Sequence, residues 1–491
     1  MKSIVEQVLE YSESQPDKVA ITDGKTSISY SELASAIFYA KDVLANKYGL
    51  TEGDYIVVAA NKQPEFVYLY FACHIIGAIV LPIAPDTNLN RYHQIKELIH
   101  PRLIIEYRDD DPFVIKVPLK EFIGKKNKEK ISIRLDKTAD IMFTTGTTGE
   151  PKGVLLSQKN ISSAAQNINL FIGNNNSDVE MIALPISHSF GIGRMRCALS
   201  NGQTIILLGS FFNVKRFYKF ISDYRVTGFG MVPSSWNLLK KLSGLKLAEF
   251  KDQLNYIEIG SAPMPLSEKE LLLKTFPNTR ICMHYGLTEA SRSTFMEFHE
   301  SKENLSSIGK PTPNVSVIIC DEHGHEVPFG VEGEICVSGD SVTRGYVNAS
   351  REEVFWGDYF RTGDWGVMTQ DGYISLKSRK KELINVGGKK VSPIEVEDVL
   401  MSLDFVDDCA CIGIPDPKGI LGEVIKAFIV TSSSEKVNWE YIDSLIGTKV
   451  EGYKHPNIYE EIKAIPKTDS GKVQRLLLKR GISHVATTRD L

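Results

Sequence analysis

A chain of 491 residues is longer than the roughly 250 to 300 residues at which a single hydrophobic core stops growing, so at least two domains are expected. Its 42% hydrophobic and 24% charged residues are ordinary for a globular protein, and a formal net charge of -4 gives no field that would draw in DNA or RNA. No nucleic acid partner is expected.

In chain order, the opening "MKSIVEQVLEYSESQPDKVA" lacks the basic region, apolar core and cleavage site of a signal peptide. From 28 to 120, helical patterns such as "SYSELASAIFYAKDVLAN" alternate with β-branched runs such as "YIVVAA" and "AIVLPI", which predicts a mostly parallel sheet with helices on its faces. The most apolar stretch, "FVYLYFACHIIGAIVLPIAP" (66–85), is interrupted by His74, Gly77 and Pro82. It reads as a buried helix breaking into a buried strand, so no stable membrane insertion is expected. "GKKNKEK" (124–130) reads as a polar surface connection.

A second α/β region is expected from about 180 to 300, with strands at "QTIILLG" and "GFGMVP" and an amphipathic helix at "SWNLLKKL". Near 306 the texture changes to short strands and Gly-Pro turns, as in a small β-barrel. The last hundred or so residues read as a compact α+β domain in which Gly387-Gly388 turns a hairpin before a helix. The fold class is therefore α/β: two α/β subdomains and a small barrel in a large N-terminal domain, then a small α+β domain. Seven Cys at 73, 197, 282, 320, 336, 409 and 411 have no metal-like spacing and suit reduced thiols, hence a cytoplasmic location.

The stretch "FTTGTTGEPKGV" (143–154) packs three Gly, four Thr and one Lys into twelve positions. It is expected to form neither a buried strand nor a stable helix. Thr hydroxyls and Gly backbone N–H groups are donors for phosphate, and Gly lets the main chain approach it closely. No Gly stands directly before a Lys, so the Walker spacing fails. Ser157 is a plausible N-cap for the helix that follows.

This loop resembles the phosphate-binding signature of the adenylate-forming superfamily, which includes acyl-CoA synthetases, coumarate ligases, luciferases and peptide-synthetase adenylation domains. Six further stretches resemble that family's motifs in order: "IGSAPMP" (259–265), "HYGLTEAS" (284–291), "SIGKPTPNV" (307–315), "FRTGDWG" (360–366), "SRKKELINVGGKKVSPIEVE" (378–397) and "PKTDSGKVQR" (466–475). The resemblance implies an ATP- and Mg²⁺-dependent ligase that joins a small-molecule carboxylic acid to CoA by way of an acyl-adenylate. A separate carrier protein bearing phosphopantetheine is the alternative acceptor. A nucleotide-binding sensor without turnover is a third reading, whose mark would be degenerate motif positions.

By that resemblance Thr144, Thr145, Gly146, Thr147, Thr148 and Lys152 hold the departing pyrophosphate, Glu289 binds Mg²⁺ and Thr288 meets the α-phosphate. Both reactants are anionic, so donors and a metal must neutralise charge while holding them in line. Tyr285, followed by Gly286, stacks on adenine while Gly260, Ser261, Ala262 and Pro263 line the base. Asp364 and Arg379 match the family's ribose-contacting pair, although Ser378 stands where Gly or Asp is more usual. Lys472 matches the lysine that bridges the carboxylate and α-phosphate, and Gly388 the Gly that opens a pantetheine channel. Lys381 matches the pivot about which the C-terminal domain, 381–491, rotates against 1–380 between the two half-reactions.

"LPISHSFGIGRMR" (184–196) resembles the stretch in which a His gates the acid, which makes His188 the candidate. Amino-acid-activating relatives carry an Asp where Ser189 stands here, so an acid without an α-ammonium is expected. Arg194, Arg196 and Arg292 leave open a second carboxylate on the substrate, with surface or structural pairing of each the expected fate.

Overall fold

The computed structural model describes residues 1–107, 115–145, 151–379, 382–387, 389–403, 405–418, 420–431, 439–447, 449–467 and 473–481. The chain separates into two compact units, one of Met1–Gly260, Glu268–Val317 and Cys336–Phe360, the other of Ser261–Ser267, Ile318–Ile335 and Arg361–Leu491.

The first unit contains both expected α/β regions. A six-stranded sheet runs in the order Ile115–Val117, Leu103–Ile105, Tyr55–Ala59, Ile79–Ile83, Thr138–Thr145, Pro151–Ser157, parallel except for the last pair. The apolar stretch folds as expected: helix Pro64–Ile76 stops at Gly77, whose φ of 83° is the left-handed conformation that Gly adopts without a Cβ penalty. The strand that follows, Ile79–Ile83, is buried along its whole length.

A nine-stranded sheet has the order Lys310–Pro311, Thr294–Glu297, Arg280–Tyr285, Tyr256–Ile259, Gly228–Met231, Val179–Ile182, Thr204–Leu207, Val19–Thr22, Ser27–Ser29. The strands from Arg280–Tyr285 to Val19–Thr22 are parallel, while Thr294–Glu297 is antiparallel to both its neighbours and Ser27–Ser29 to Val19–Thr22. Val19–Thr22 reaches this second sheet although it precedes every strand of the first, an excursion that periodicity along the chain does not reveal.

One expectation needs correcting. The ends of "FTTGTTGEPKGV" are strands, because Phe143, Thr144 and Thr145 pair antiparallel with Gly153, Lys152 and Pro151. The ladder satisfies their backbone groups, and Thr is well suited to a pleated surface. Ser157 then caps helix Gln158–Ile172 in a reciprocal capping box with Asn160.

In the second unit, Ile384–Val386 and Lys389–Val391 form the expected hairpin and helix Pro393–Met401 follows. The helix packs on a sheet of Val406–Pro415, Glu423–Thr431 and Ile458–Glu461 around a core that includes Val396, Leu400, Cys411 and Ile425. All seven Cys are buried free thiols. No helix among the described residues is long and apolar enough to cross a membrane.

Candidate active site

Gly146, Thr147, Thr148, Lys381, Gly388 and Lys472 lie outside the described residues, as does the side chain of Thr145. Of the remaining candidates, Thr144, Lys152, His188, Gly260, Tyr285, Gly286, Thr288 and Glu289 lie in the first unit, and Ser261, Ala262, Asp364 and Arg379 in the second.

In the first unit the hairpin sets Lys152 opposite Thr144. The Lys152 ammonium lies 5.4 Å from the centroid of the Tyr346 ring, within cation–π range. The Tyr346 hydroxyl donates to Glu289 Oε1 at 2.6 Å. Backbone bonds tie the three segments together: Val347 N–H donates to Gly153 O, Leu155 N–H to Gly345 O and Thr343 N–H to Glu289 O. Sequence reasoning missed Tyr346. It lies 57 positions from Glu289, and no spacing links the two.

Glu289 is buried, and its Oε2 makes no hydrogen bond among the described residues. No group of three or more His, Cys, Asp or Glu among those residues could hold a metal unaided. A single carboxylate near the Thr-rich hairpin nevertheless fits Mg²⁺, which usually takes one or two carboxylates, substrate phosphates and water.

The loop that carries Thr288 and Glu289 follows strand Arg280–Tyr285 and needs Gly at its start. A Cβ at Gly286 would come within 2.4 Å of the backbone N of Arg292. Gly260 has its own constraint, since a Cβ there would meet His284 Cε1 at 2.1 Å. Tyr285 is half-buried, and Ser261 adopts a left-handed φ of 73°.

His188 is exposed at the start of helix Ser189–Ser200, where its carbonyl accepts from Ile192 N–H. Beside it, Thr288 Oγ1 lies 3.4 Å from Ser189 Oγ. A cavity of about 20 Å³ opens from these two residues into the seam between helices Gln158–Ile172 and Ser189–Ser200. Ile161, Ala165 and Ile168 form one wall, Gly193 and Arg196 the other, and no Asp or Glu lines it.

All three arginines are buried and paired, as expected. Arg194 bonds Glu180 at 2.5 and 2.6 Å and lies 3.1 Å from Glu258. Arg196 donates to Asp140 at 2.5 Å and to the Tyr70 hydroxyl at 2.9 Å. Arg292 donates from Nε to Glu258 at 3.0 Å and from its terminal nitrogens to the Ser189 and Phe190 carbonyls at 3.3 and 3.2 Å. Burial would raise the Glu258 carboxyl, but Arg292, His284 and Arg194 outweigh it and hold it well below the usual carboxylate range. His284, 2.7 Å from Glu258, is held below its ordinary value chiefly by burial.

In the second unit, strands Tyr359–Met368 and Ile374–Arg379 set Asp364 opposite Arg379. Arg379 Nε lies 2.8 Å from Asp364 Oδ1, and its Nη1 donates to Thr362 O at 3.2 Å. Ser378 turns its hydroxyl to the Arg379 carbonyl, so the departure from Gly or Asp leaves the pair intact.

A family model described as AMP-binding enzyme matches residues 8–347, and another, its C-terminal domain, matches residues 395–472. The chain belongs to the AMP-binding enzymes. This AMP-binding enzyme is 30% identical to a 2-succinylbenzoate–CoA ligase from Bacillus pumilus across 94% of this chain and 95% of that one. It is 27% identical to a feruloyl-CoA synthase from an Amycolatopsis species across 95% and 96%. In fold it is similar to o-succinylbenzoate-CoA synthetase from Bacillus subtilis in complex with its acyl-adenylate intermediate, with a TM-score of 0.85 at 24% identity over 96% and 97% of the chains. ATP-bound MatB from Rhodopseudomonas palustris gives a TM-score of 0.88 at 23% identity over 99% and 100%.

Proposed function

We propose that this AMP-binding enzyme activates a carboxylic acid without an α-ammonium group, and that its motif residues divide the work as follows. The chain is an AMP-forming carboxylic acid:CoA ligase, making an acyl-adenylate and pyrophosphate and then a thioester. The contacts that join Lys152, Tyr346 and Glu289 at the Thr-rich hairpin carry the reading, because they set a cation and a carboxylate beside one phosphate-binding loop. Mg²⁺, when bound, neutralises phosphate charge.

Thr144 to Thr148 and Lys152 hold the pyrophosphate, Glu289 supplies the metal's carboxylate and Thr288 orients the α-phosphate. Tyr285 stacks on adenine above the Gly260–Ser261–Ala262 backbone, and Asp364, oriented by Arg379, accepts the ribose hydroxyl protons. Exposed His188 gates the acid. Lys472 neutralises the reacting oxygens, and a rotation about Lys381 then exchanges it for Gly388 and the pantetheine arm of CoA. The phosphopantetheine of a separate carrier protein presents the same chemical arm and is the second acceptor.

The cavity that meets Thr288 and Ser189 has no acidic lining, so an α-ammonium entering it would be a buried, unpaired charge costing several kcal/mol. Pyrophosphate exchange over a panel of acids is therefore expected to be silent with proteinogenic amino acids, and a strong signal with any of them would overturn the substrate reading. Gly388→Leu is expected to accumulate acyl-adenylate while thioester formation fails. Parent-rate thioester formation by that variant would reduce Gly388 to a hairpin residue.

A further inference from the structure

Arg196 is placed differently from the other two arginines. Ser189, Gly193 and Arg196 recur on one face of their helix, so the guanidinium lies deeper in the same seam that begins at Ser189 and Thr288. Seven residues of helix put Arg196 on the order of 10 Å beyond Ser189. Its Nε and Nη2 are used by Tyr70 and Asp140, whereas Nη1 makes no protein hydrogen bond among the described residues, and the residue lines the cavity. An unused donor on a guanidinium whose side chain is only 7% exposed is the charged group of a cavity lined otherwise by apolar side chains such as Ile161, Ala165 and Ile168 and by neutral polar ones such as Asn160, Ser291 and Ser341.

The charge is already balanced. Asp140 is fully buried and its carboxyl, which burial alone would raise, is held down by Arg196 and then His74. A second carboxylate brought to Arg196 would leave the pair with one uncompensated buried anion, whereas a neutral oxygen would accept a charge-assisted hydrogen bond from Nη1 with no new charge buried. We propose that the acid carries a neutral hydrogen-bond acceptor, a hydroxyl or oxo oxygen, in the distal part of its acyl chain, and that Arg196 Nη1 donates to it. The inference rests on the reading of this seam as the acyl entrance. At about 20 Å³ the cavity has room for roughly one water, so the acyl chain must part the helices. The small Ala164, Ala165 and Gly193 leave Ile161 and Ile168 as the side chains that must move.

The test is pyrophosphate exchange with propionate, octanoate, octanoate bearing an oxo or hydroxyl group on its penultimate carbon, and octanedioate. The parent enzyme is expected to favour the oxo or hydroxy acid over octanoate by about tenfold to a hundredfold in kcat/KM, the range of a hydrogen bond to a charged group. Arg196→Met should abolish that preference. Because it also strips Asp140 of its partner, Ala165→Leu serves as the second variant: it fills the seam and leaves the ion pair in place. It is expected to depress the substituted octanoates relative to propionate by at least about tenfold. Equal use of octanoate and its derivatives by the parent, a preference for octanedioate, or an unchanged ratio in Ala165→Leu would overturn the inference while the ligase reading stands. Silence with every acid would instead remove the reading beneath it.

Discussion

Glu289→Ala is expected to lower the rate of acyl-adenylate formation by about a hundredfold to a thousandfold, the range found when a preorganised electrostatic group is removed from a transition state. The argument starts from geometry. Glu289 Oε1 is held by the Tyr346 hydroxyl at 2.6 Å, and the Lys152 ammonium lies 5.4 Å from the centroid of the same ring. The carboxylate is therefore fixed before any nucleotide arrives, and the charge it offers Mg²⁺ needs no reorganisation. Lys472→Ala is expected to have a comparable effect on the same step, yet to leave thioester formation from preformed acyl-adenylate intact. Tyr346→Phe separates orientation from charge: it keeps the ring under Lys152 and removes only the hydroxyl, so a smaller loss of about tenfold to a hundredfold is expected. Pyrophosphate exchange measured against Mg²⁺ concentration checks all three, and near-parental exchange in Glu289→Ala would remove its assigned role.

Tyr346 also marks the limit of what the chain discloses before folding. The features legible in the sequence were local ones. Ser157 caps the helix that follows it through Asn160, three residues on, Gly77 ends another, and strands Ile384–Val386 and Lys389–Val391 pair where the composition between them indicates a hairpin. Each depends on groups within a few positions of one another, where spacing carries geometry. The motif residues were legible for a different reason, their resemblance to a family whose members arrange them in the same order.

What remained hidden depends on partners that folding brings together from afar. The arginines of "GRMR" are visible, but Arg196 meets Asp140 across 56 positions and Arg292 meets Glu258 across 34. Nothing in either neighbourhood names the partner. The strand Val19–Thr22 is recognisable as a strand, yet its place beside Thr204–Leu207 is a matter of topology. Likewise the strands at the two ends of the Thr-rich stretch depend on the antiparallel ladder that supplies their backbone partners, which composition read as no buried strand does not reveal.

The largest expected effect on stability lies in that hidden layer, at Glu258. Its fully buried carboxylate faces Arg292 Nε at 3.0 Å, Arg194 Nη1 at 3.1 Å and His284 Nδ1 at 2.7 Å. Glu258→Ala would leave Arg292 without its only carboxylate among the described residues, and removing one member of a buried ion pair costs about 3 to 5 kcal/mol. Arg292 also has a φ of 51°, a conformation uncommon for a residue with a side chain, and its bonds to Glu258, Ser189 and Phe190 hold it there. Loosening it should therefore disturb the start of the His188 helix and the loop of Thr288 and Glu289 together. The same carboxylate predicts the acid side of the stability profile. Because the folded-state values of Glu258 and Asp140 lie below their ordinary 4.5 and 3.8, the stability they contribute is present above that range and is lost as pH falls through the folded values. Denaturant midpoints at neutral pH and at successively lower pH should show Glu258→Ala far below the parent at neutrality and the gap closing in acid. A midpoint equal to the parent at neutral pH would mean that the two arginines and His284 are satisfied without Glu258, and the account of this network would fail.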